Sequence, residues 1–324
     1  MPWSEMKNSK VIFILIIISC LNLSLKAEQV AEISGNYPLE LMKHYISQQE
    51  YDLALQVLDD YPVEDDSADS LLWLAANVYK TRQEYNGAAD KYAQVITISR
   101  DSLLVTDSVE NLISLVPHLT SRNAIDLLVD AVKNVTANDN YLNLIMKLAE
   151  LYESNYLYSE ANDIYTNLLE SDLDIDENSL YIKVATNKVF EKKYNEAVVY
   201  ADKAEVAADS VLSAEALFIQ FLSYQAMGNE QQALPPLLNL YMNFPSFAGI
   251  FEINLSLAEL LQNADEKLAA WYVLEKYYPE ASELEKRLII EQIRSLRDSM
   301  EISSGMMRYF DNIEFDFTPL VGEE

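Results

Sequence analysis

The sequence predicts an all-α protein, a solenoid of about seven helix–turn–helix units closed by a C-terminal cap helix. Three observations carry this. The phrase "QEYDLALQVL" at residues 49–58 returns as "QEYNGAADKY" at 83–92, so that Gln49, Glu50, Tyr51 and Ala54 recur 34 residues on as Gln83, Glu84, Tyr85 and Ala88. A small residue then keeps the beat: Ala54, Ala88, Ala124, Ala161, Ala197, Ala233 and Ala269 follow at intervals of 34, 36, 37, 36, 36 and 36. Such a period marks stacked supersecondary units that cannot bury their apolar faces alone. Composition agrees: 6 Gly among 324 residues, with many Ala, Leu, Glu and Tyr, favours helices over a β-rich architecture, and 50% hydrophobic residues supply a substantial core.

Residues 1–27 have the layout of an export signal. Lys7 and Lys10 form a basic start, an apolar run begins at Val11, and Ala27 offers a small residue for cleavage before Glu28. The run is short and interrupted for a membrane span. A second reading stays open. "IISC" at 17–20 resembles a lipobox, and Cys20 is the only cysteine, which would make residues 1–19 a lipoprotein signal with Cys20 lipidated. Both readings place the mature chain outside the cytoplasm, in the periplasm or at the outer membrane. One cysteine excludes an intramolecular disulfide.

The repeat array is expected over residues 35–281. In "DSLLWLAANVYKTRQ", Leu72, Ala75, Ala76 and Tyr79 share one helical face; in "EYNGAADKYAQVITI", Ala88, Tyr92 and Val95 do. The same pair is legible in "NYLNLIMKLAELYESN" with "YLYSEANDIYTNLLES", and in "SLYIKVATNKVFEKK" with "YNEAVVYADKAEVA". The sixth unit carries Pro235-Pro236 inside its second helix, and a kink or a helix start is expected there. Residues 282–302 read as the cap helix, with Leu284, Leu288, Ile289, Ile293 and Leu296 on one stripe. The tail, 303–324, alternates Ile313, Phe315 and Phe317 with Glu314, Asp316 and Thr318, a strand period on a helical protein. Tyr309, Phe310, Phe315 and Phe317 are expected to dock on the last units or the cap helix; the alternative is that they wait for a partner.

These positions resemble the tetratricopeptide repeat family. A small residue on each second helix is followed four residues later by Leu58, Tyr92, Leu128, Tyr165, Leu237 or Val273, with Ala201 the exception. Tyr45, Tyr79, Tyr152 and Tyr224 lie near the ends of first helices, and Tyr51, Tyr85, Tyr158 and Tyr194 open second helices. The third unit lacks this Tyr pair, and the family's Gly on the first helix is Ala76, Ala149 or Ala185 here. The resemblance implies a right-handed array whose first helices line a groove for a bound peptide. Carried over on the Ala register, it puts Trp73, Asn77 and Lys80, then Asn143, Met146 and Glu150, then Phe218 and Leu222 on that face. The family's clamp for a C-terminal carboxylate needs several basic residues, and only Asn77 and Lys80 resemble it.

The net charge is −29; without residues 1–27, which hold three Lys and one Glu, 20 basic residues face 51 acidic ones. Such a chain is poorly suited to nucleic acid, whose phosphates need Lys and Arg to displace counterions, and a lipid anchor is the one route expected to a membrane. "DLDIDENSLYIK" at 172–183 alternates aspartates like a calcium loop, but Glu177 stands where that loop needs Gly and Lys183 where it needs Glu. Asp176 or Asn178 is then expected to cap the next helix. His44 and His118 are 74 residues apart, and no phosphate-binding or nucleophile-elbow motif occurs. The expectation is a non-catalytic scaffold or adaptor of the bacterial envelope that takes a protein or peptide partner and no cofactor or metal. The alternatives are a lipid-anchored outer-membrane assembly factor and, far behind, an enzyme with a site between units.

Overall fold

The computed structural model describes residues 37–61, 68–135, 139–205, 210–244, 246, 249–300 and 317. The export segment with Cys20, and Tyr309, Phe310 and Phe315 of the tail, lie outside them. Fifteen α-helices and no strand occur among the described residues. They are α1 (Tyr37–Ser47), α2 (Tyr51–Asp60), α3 (Ala68–Thr81), α4 (Tyr85–Ile98), α5 (Ser102–Leu115), α6 (Ser121–Asn134), α7 (Asp139–Ser154), α8 (Tyr158–Leu169), α9 (Glu177–Phe190), α10 (Tyr194–Glu205), α11 (Ser210–Ala226), α12 (Glu230–Asn243), α13 (Phe251–Asn263), α14 (Lys267–Tyr277) and α15 (Glu283–Ser299). They form two compact units, divided between Leu151 and Tyr152. Successive helices pack: α1 on α2 and α3 on α4 in the first unit, α9 on α10, α11 on α12 and α13 on α14 in the second. First helices also touch across neighbouring pairs, α1 with α3, α3 with α5 and α9 with α11.

The recurring alanines explain the pairing. Ala54, Ala88, Ala161, Ala197, Ala233 and Ala269 are fully buried, and Ala124 is 1% exposed. A methyl at this position lets two backbones approach where a longer side chain would hold them apart. The six up to Ala233 each donate a backbone hydrogen bond to the residue just before the second helix, as Ala88 does to Glu84 and Ala197 to Lys193. In the seventh pair that bond comes from Ala270, which donates to Glu266. The register there is therefore one residue later than the sequence spacing suggested. Ala270 is equally buried, so the doubled alanine hides the shift.

One turn recurs as well. Gln49, Gln83, Tyr156, Lys192, Gly228 and Asp265 have φ between 61° and 71°, each two residues before a second helix. In each turn the next residue's N–H reaches back five positions, as Glu50 does to Tyr45, Glu84 to Tyr79, Leu157 to Tyr152 and Asn229 to Tyr224. The left-handed residue bonds three back, as Gln49 does to Ile46 and Gln83 to Lys80. This is the Schellman arrangement, which satisfies carbonyls that a helix end would leave bare. The third pair, which lacks the Tyr pair, departs: a 3-10 turn, Val116–His118, replaces the left-handed residue, and Thr120 caps α6 through Asn123 N–H. Gly228 is the one glycine in the set, and a side chain there would meet open space. Gly228→Ala should therefore cost about 1 kcal/mol through backbone strain alone, and Gly228→Asn less, since Asn tolerates this region. Urea denaturation measures both; a Gly228→Ala variant as stable as the parent would contradict the turn.

Two details differ from expectation. Helix α12 runs through Pro235 and Pro236 and does not begin there. The prolines leave the carbonyls of Gln231 and Gln232 without their helical donors, but both residues are exposed, so water can take those bonds. On α15 the apolar stripe divides. Ile289 and Leu296 are buried, whereas Leu284 is 71% and Leu288 43% exposed. The helix starts with a capping box between Ser282 and Glu285, and packs on α13 and α14.

One core cluster joins α11 to α15 and includes Leu237, Leu238, Leu257, Trp271 and Leu274, and Phe317 of the tail belongs to it. Phe317 is 5% exposed. Around α9 and α10 the core is made instead of Ile182, Ala185, Ala197, Ala201, Ala204, Ala216 and Ile219.

Candidate functional site

Tryptophan and asparagine on a first helix can serve a partner or the neighbouring repeat, and here the geometry decides. Trp73 on α3 donates its indole N–H to Asp107 on α5 at 2.5 Å. Lys80, two turns on, donates to Asn111 Oδ1 at 2.7 Å, and Asn111 in turn donates to the Asp107 carboxylate at 3.0 Å. The four side chains form one half-buried network between adjacent first helices. Asn77 points into its own pair: its amide donates to Trp73 O at 2.9 Å, and its Oδ1 accepts the Tyr92 hydroxyl at 3.0 Å. Tyr92 is fully buried. Burial, with a smaller contribution from the nearby Asp107 charge, pushes its phenol up to about 12.

The next first helix offers the more accessible residues. Asn143 and Glu150 on α7 are exposed and Met146 is half-buried. Glu150 accepts from Lys147 at 2.9 Å, a surface pair of small energetic weight. Asn140, at the start of α7, donates to Thr106 on α5 at 2.9 Å. In the second unit Phe218 and Leu222 of α11 are half-buried against the main core, with Phe218 6.2 Å from Phe221.

Sequence reasoning missed the pairing rule that ties these side chains together. Trp73 meets Asp107, Thr106 meets Asn140 and Glu153 meets Asn187, each pair 34 residues apart. The signal was a polar residue recurring at the repeat distance on the first helix. Rings also bridge pairs: His118 stacks on Tyr85 at 4.3 Å, and Phe190 on Tyr158 at 4.9 Å. Asp176 caps α9 by accepting from Asn178 N–H, as the failed calcium-loop pattern implied.

No group of three His, Cys, Asp or Glu able to hold a metal occurs among the described residues. No helix among them is long and apolar enough to cross a membrane. A hollow of about 350 Å³ opens at the start of α2, lined by Gln49, Glu50, Tyr51, Asp52, Leu53 and Arg82. Its one cation, Arg82, is engaged by Asp52 at 2.6 Å and Glu84 at 2.8 Å.

No protein-family model and no curated protein matches the sequence. Among solved structures the chain resembles that of Naa15/Naa10 bound to HypK-THB, with a TM-score of 0.57 and 14% identity over 87% of this chain. It spans 44% of the length of that protein. A tetratricopeptide repeat protein from Parabacteroides merdae matches with a TM-score of 0.35 at 13% identity, over 80% of this chain and 97% of that one. The TPR2AB domain of yeast Sti1 matches with a TM-score of 0.35 at 11% identity, over 81% and 97%. At such identities the likeness is one of fold. The chain has the all-helical fold of tetratricopeptide arrays.

Proposed function

We propose that this protein is a non-catalytic scaffold of the bacterial cell envelope that binds a protein or peptide segment along the first helices of its repeats. The observation that carries this reading is the first-helix surface of α3, α5 and α7. Its side chains are held in place by partners on the neighbouring helix, as in the Trp73–Asp107 and Lys80–Asn111 pairs, and it ends in the accessible Asn143 and Glu150. Ordering these side chains beforehand lowers the entropy lost when a partner docks. The strongly acidic composition favours a partner with basic or neutral polar groups. Export rests on the basic and apolar layout of residues 1–27.

A photo-crosslinking residue at Asn143 or Glu150 should capture a partner in the native envelope, and one at Asp130 or Lys133 on the second helix α6 should not. Equal capture from both helices would sink the groove reading. The anchored alternative is motivated by Cys20, the single cysteine, within "IISC". Intact mass of the mature protein separates the two forms: a diacylglyceryl mass on Cys20 selects the anchor, and a free N-terminus near Glu28 selects soluble export. A full-length cytosolic chain would contradict both.

A further inference from the structure

Phe317 lies 17 residues beyond Met300, at the far side of a segment rich in acid and aromatic residues. Its ring is nevertheless 5% exposed. It packs edge-on to Tyr241 of α12 at 5.7 Å and tilted to Tyr272 of α14 at 5.9 Å. These are second helices of consecutive pairs, so the ring sits between two repeats. Offset and edge contacts of this kind favour an aromatic guest over an aliphatic one. Tyr241 is desolvated enough that its phenol is pushed up to about 12, chiefly by burial and secondarily by Tyr272. The rim is basic on one side: Lys276 Nζ stands 6.0 Å from the Tyr272 ring centre. The residues that precede Phe317 include Glu314 and Asp316. Lys276 thus offers a cation to an acidic segment, in a protein whose composition would otherwise repel one.

From this juxtaposition of Phe317, Tyr241, Tyr272 and Lys276 we infer that the slot between α12 and α14 is a receptor for an aromatic side chain carried on an extended acidic segment, and that the chain's own Phe317 occupies it in cis. A partner segment of the same chemistry enters by displacing Phe317. This deepens the scaffold reading by adding a binding slot between second helices, whose acidic, aromatic guest differs from the basic or neutral partner of the first helices, and it rests on that reading only in taking the protein as a scaffold. A short tether presents its end at an effective concentration on the order of millimolar, so weak competitors are excluded while the tail is in place.

The test uses the full chain, its Phe317→Ala variant, and a labelled peptide of residues 311–324, read by fluorescence anisotropy. The peptide should bind the Phe317→Ala chain at least about tenfold more tightly than the parent, because the cis competitor is gone. The same peptide carrying Phe317→Ala should bind neither chain. Adding Tyr272→Ala to the Phe317→Ala chain should abolish binding, with circular dichroism verifying that the helices persist. Equal binding to parent and variant, or none to either, would overturn the proposal. So would a parent dimer that Phe317→Ala dissolves, since the slot would then belong to a second copy. Crosslinking from Asn143 is independent of this titration, so either reading can fail without the other.

Discussion

Truncating Tyr92 to alanine should lower the stability of the protein by about 3–5 kcal/mol, the range for removing a large buried aromatic side chain. Tyr92 is fully buried on α4, and its hydroxyl is the donor that satisfies Asn77 Oδ1 on the partner helix α3. Tyr92→Phe separates the two contributions. It keeps the ring and removes the donor, and should cost about 1 kcal/mol, the usual net worth of one hydrogen bond. Alkaline pH offers a further check. The folded state holds the Tyr92 proton to about 12, against 10.0 for a free phenol. A group whose pKa is raised by folding contributes its full stability below the unfolded value and loses it as pH climbs toward the folded one. The advantage of the parent over Tyr92→Phe should therefore be constant below pH 10 and shrink between pH 10 and 12. Urea midpoints across that range measure it, and a difference that does not change with pH would contradict the buried, protonated phenol.

Replacing Ala197 with leucine should cost about 1–3 kcal/mol by overpacking. The site is tightly set: Ala185, Ala201, Ala204 and Ala216 share the buried cluster with Ile182 and Ile219, and Tyr181, Val189, Tyr200 and Leu212 close around it. Three extra carbons cannot be absorbed by trimming a neighbour, so α9 and α10 must separate. Asn195→Leu, two residues away and exposed, should stay within about 0.5 kcal/mol and controls for helix propensity. If Ala197→Leu unfolds at the same urea concentration as the parent, the alanines are not the contact that sets helix spacing.

The parts of the fold that were legible in the sequence are those where one physical demand permits few residue types. A methyl at the helix crossing is such a demand, which is why the alanine beat located second helices from α2 to α12. It lost one residue at α14 because Ala269 and Ala270 both satisfy it. The left-handed turns were not legible, since five of the six positions carry Gln, Tyr, Lys or Asp where glycine would have announced the geometry. The cap stripe was read too wide, because helical periodicity reports which side chains share a face but not how far the neighbour extends over it; Leu284 and Leu288 lie past that edge. Among the candidate contacts, Trp73, Asn77 and Lys80 all lie on α3, and their polar atoms hold Asp107, Tyr92 and Asn111. A single sequence contains both members of each pair but nothing that says they meet.

The recurring turn has a consequence for how such a chain can change over time. Its geometry is held by main-chain bonds, and the six residues at its left-handed position, five of them with a side chain, are all solvent-exposed. The contacts made there are surface ones, such as Tyr156 with Tyr158 and Asp265 with Lys267, so its chemistry can drift from amide to phenol to ammonium to carboxylate while the backbone repeats itself. Each helix pair with this turn thus carries one site where surface character is rewritten almost independently of folding. The present set, Gln49, Gln83, Tyr156, Lys192, Gly228 and Asp265, is a sample of that freedom.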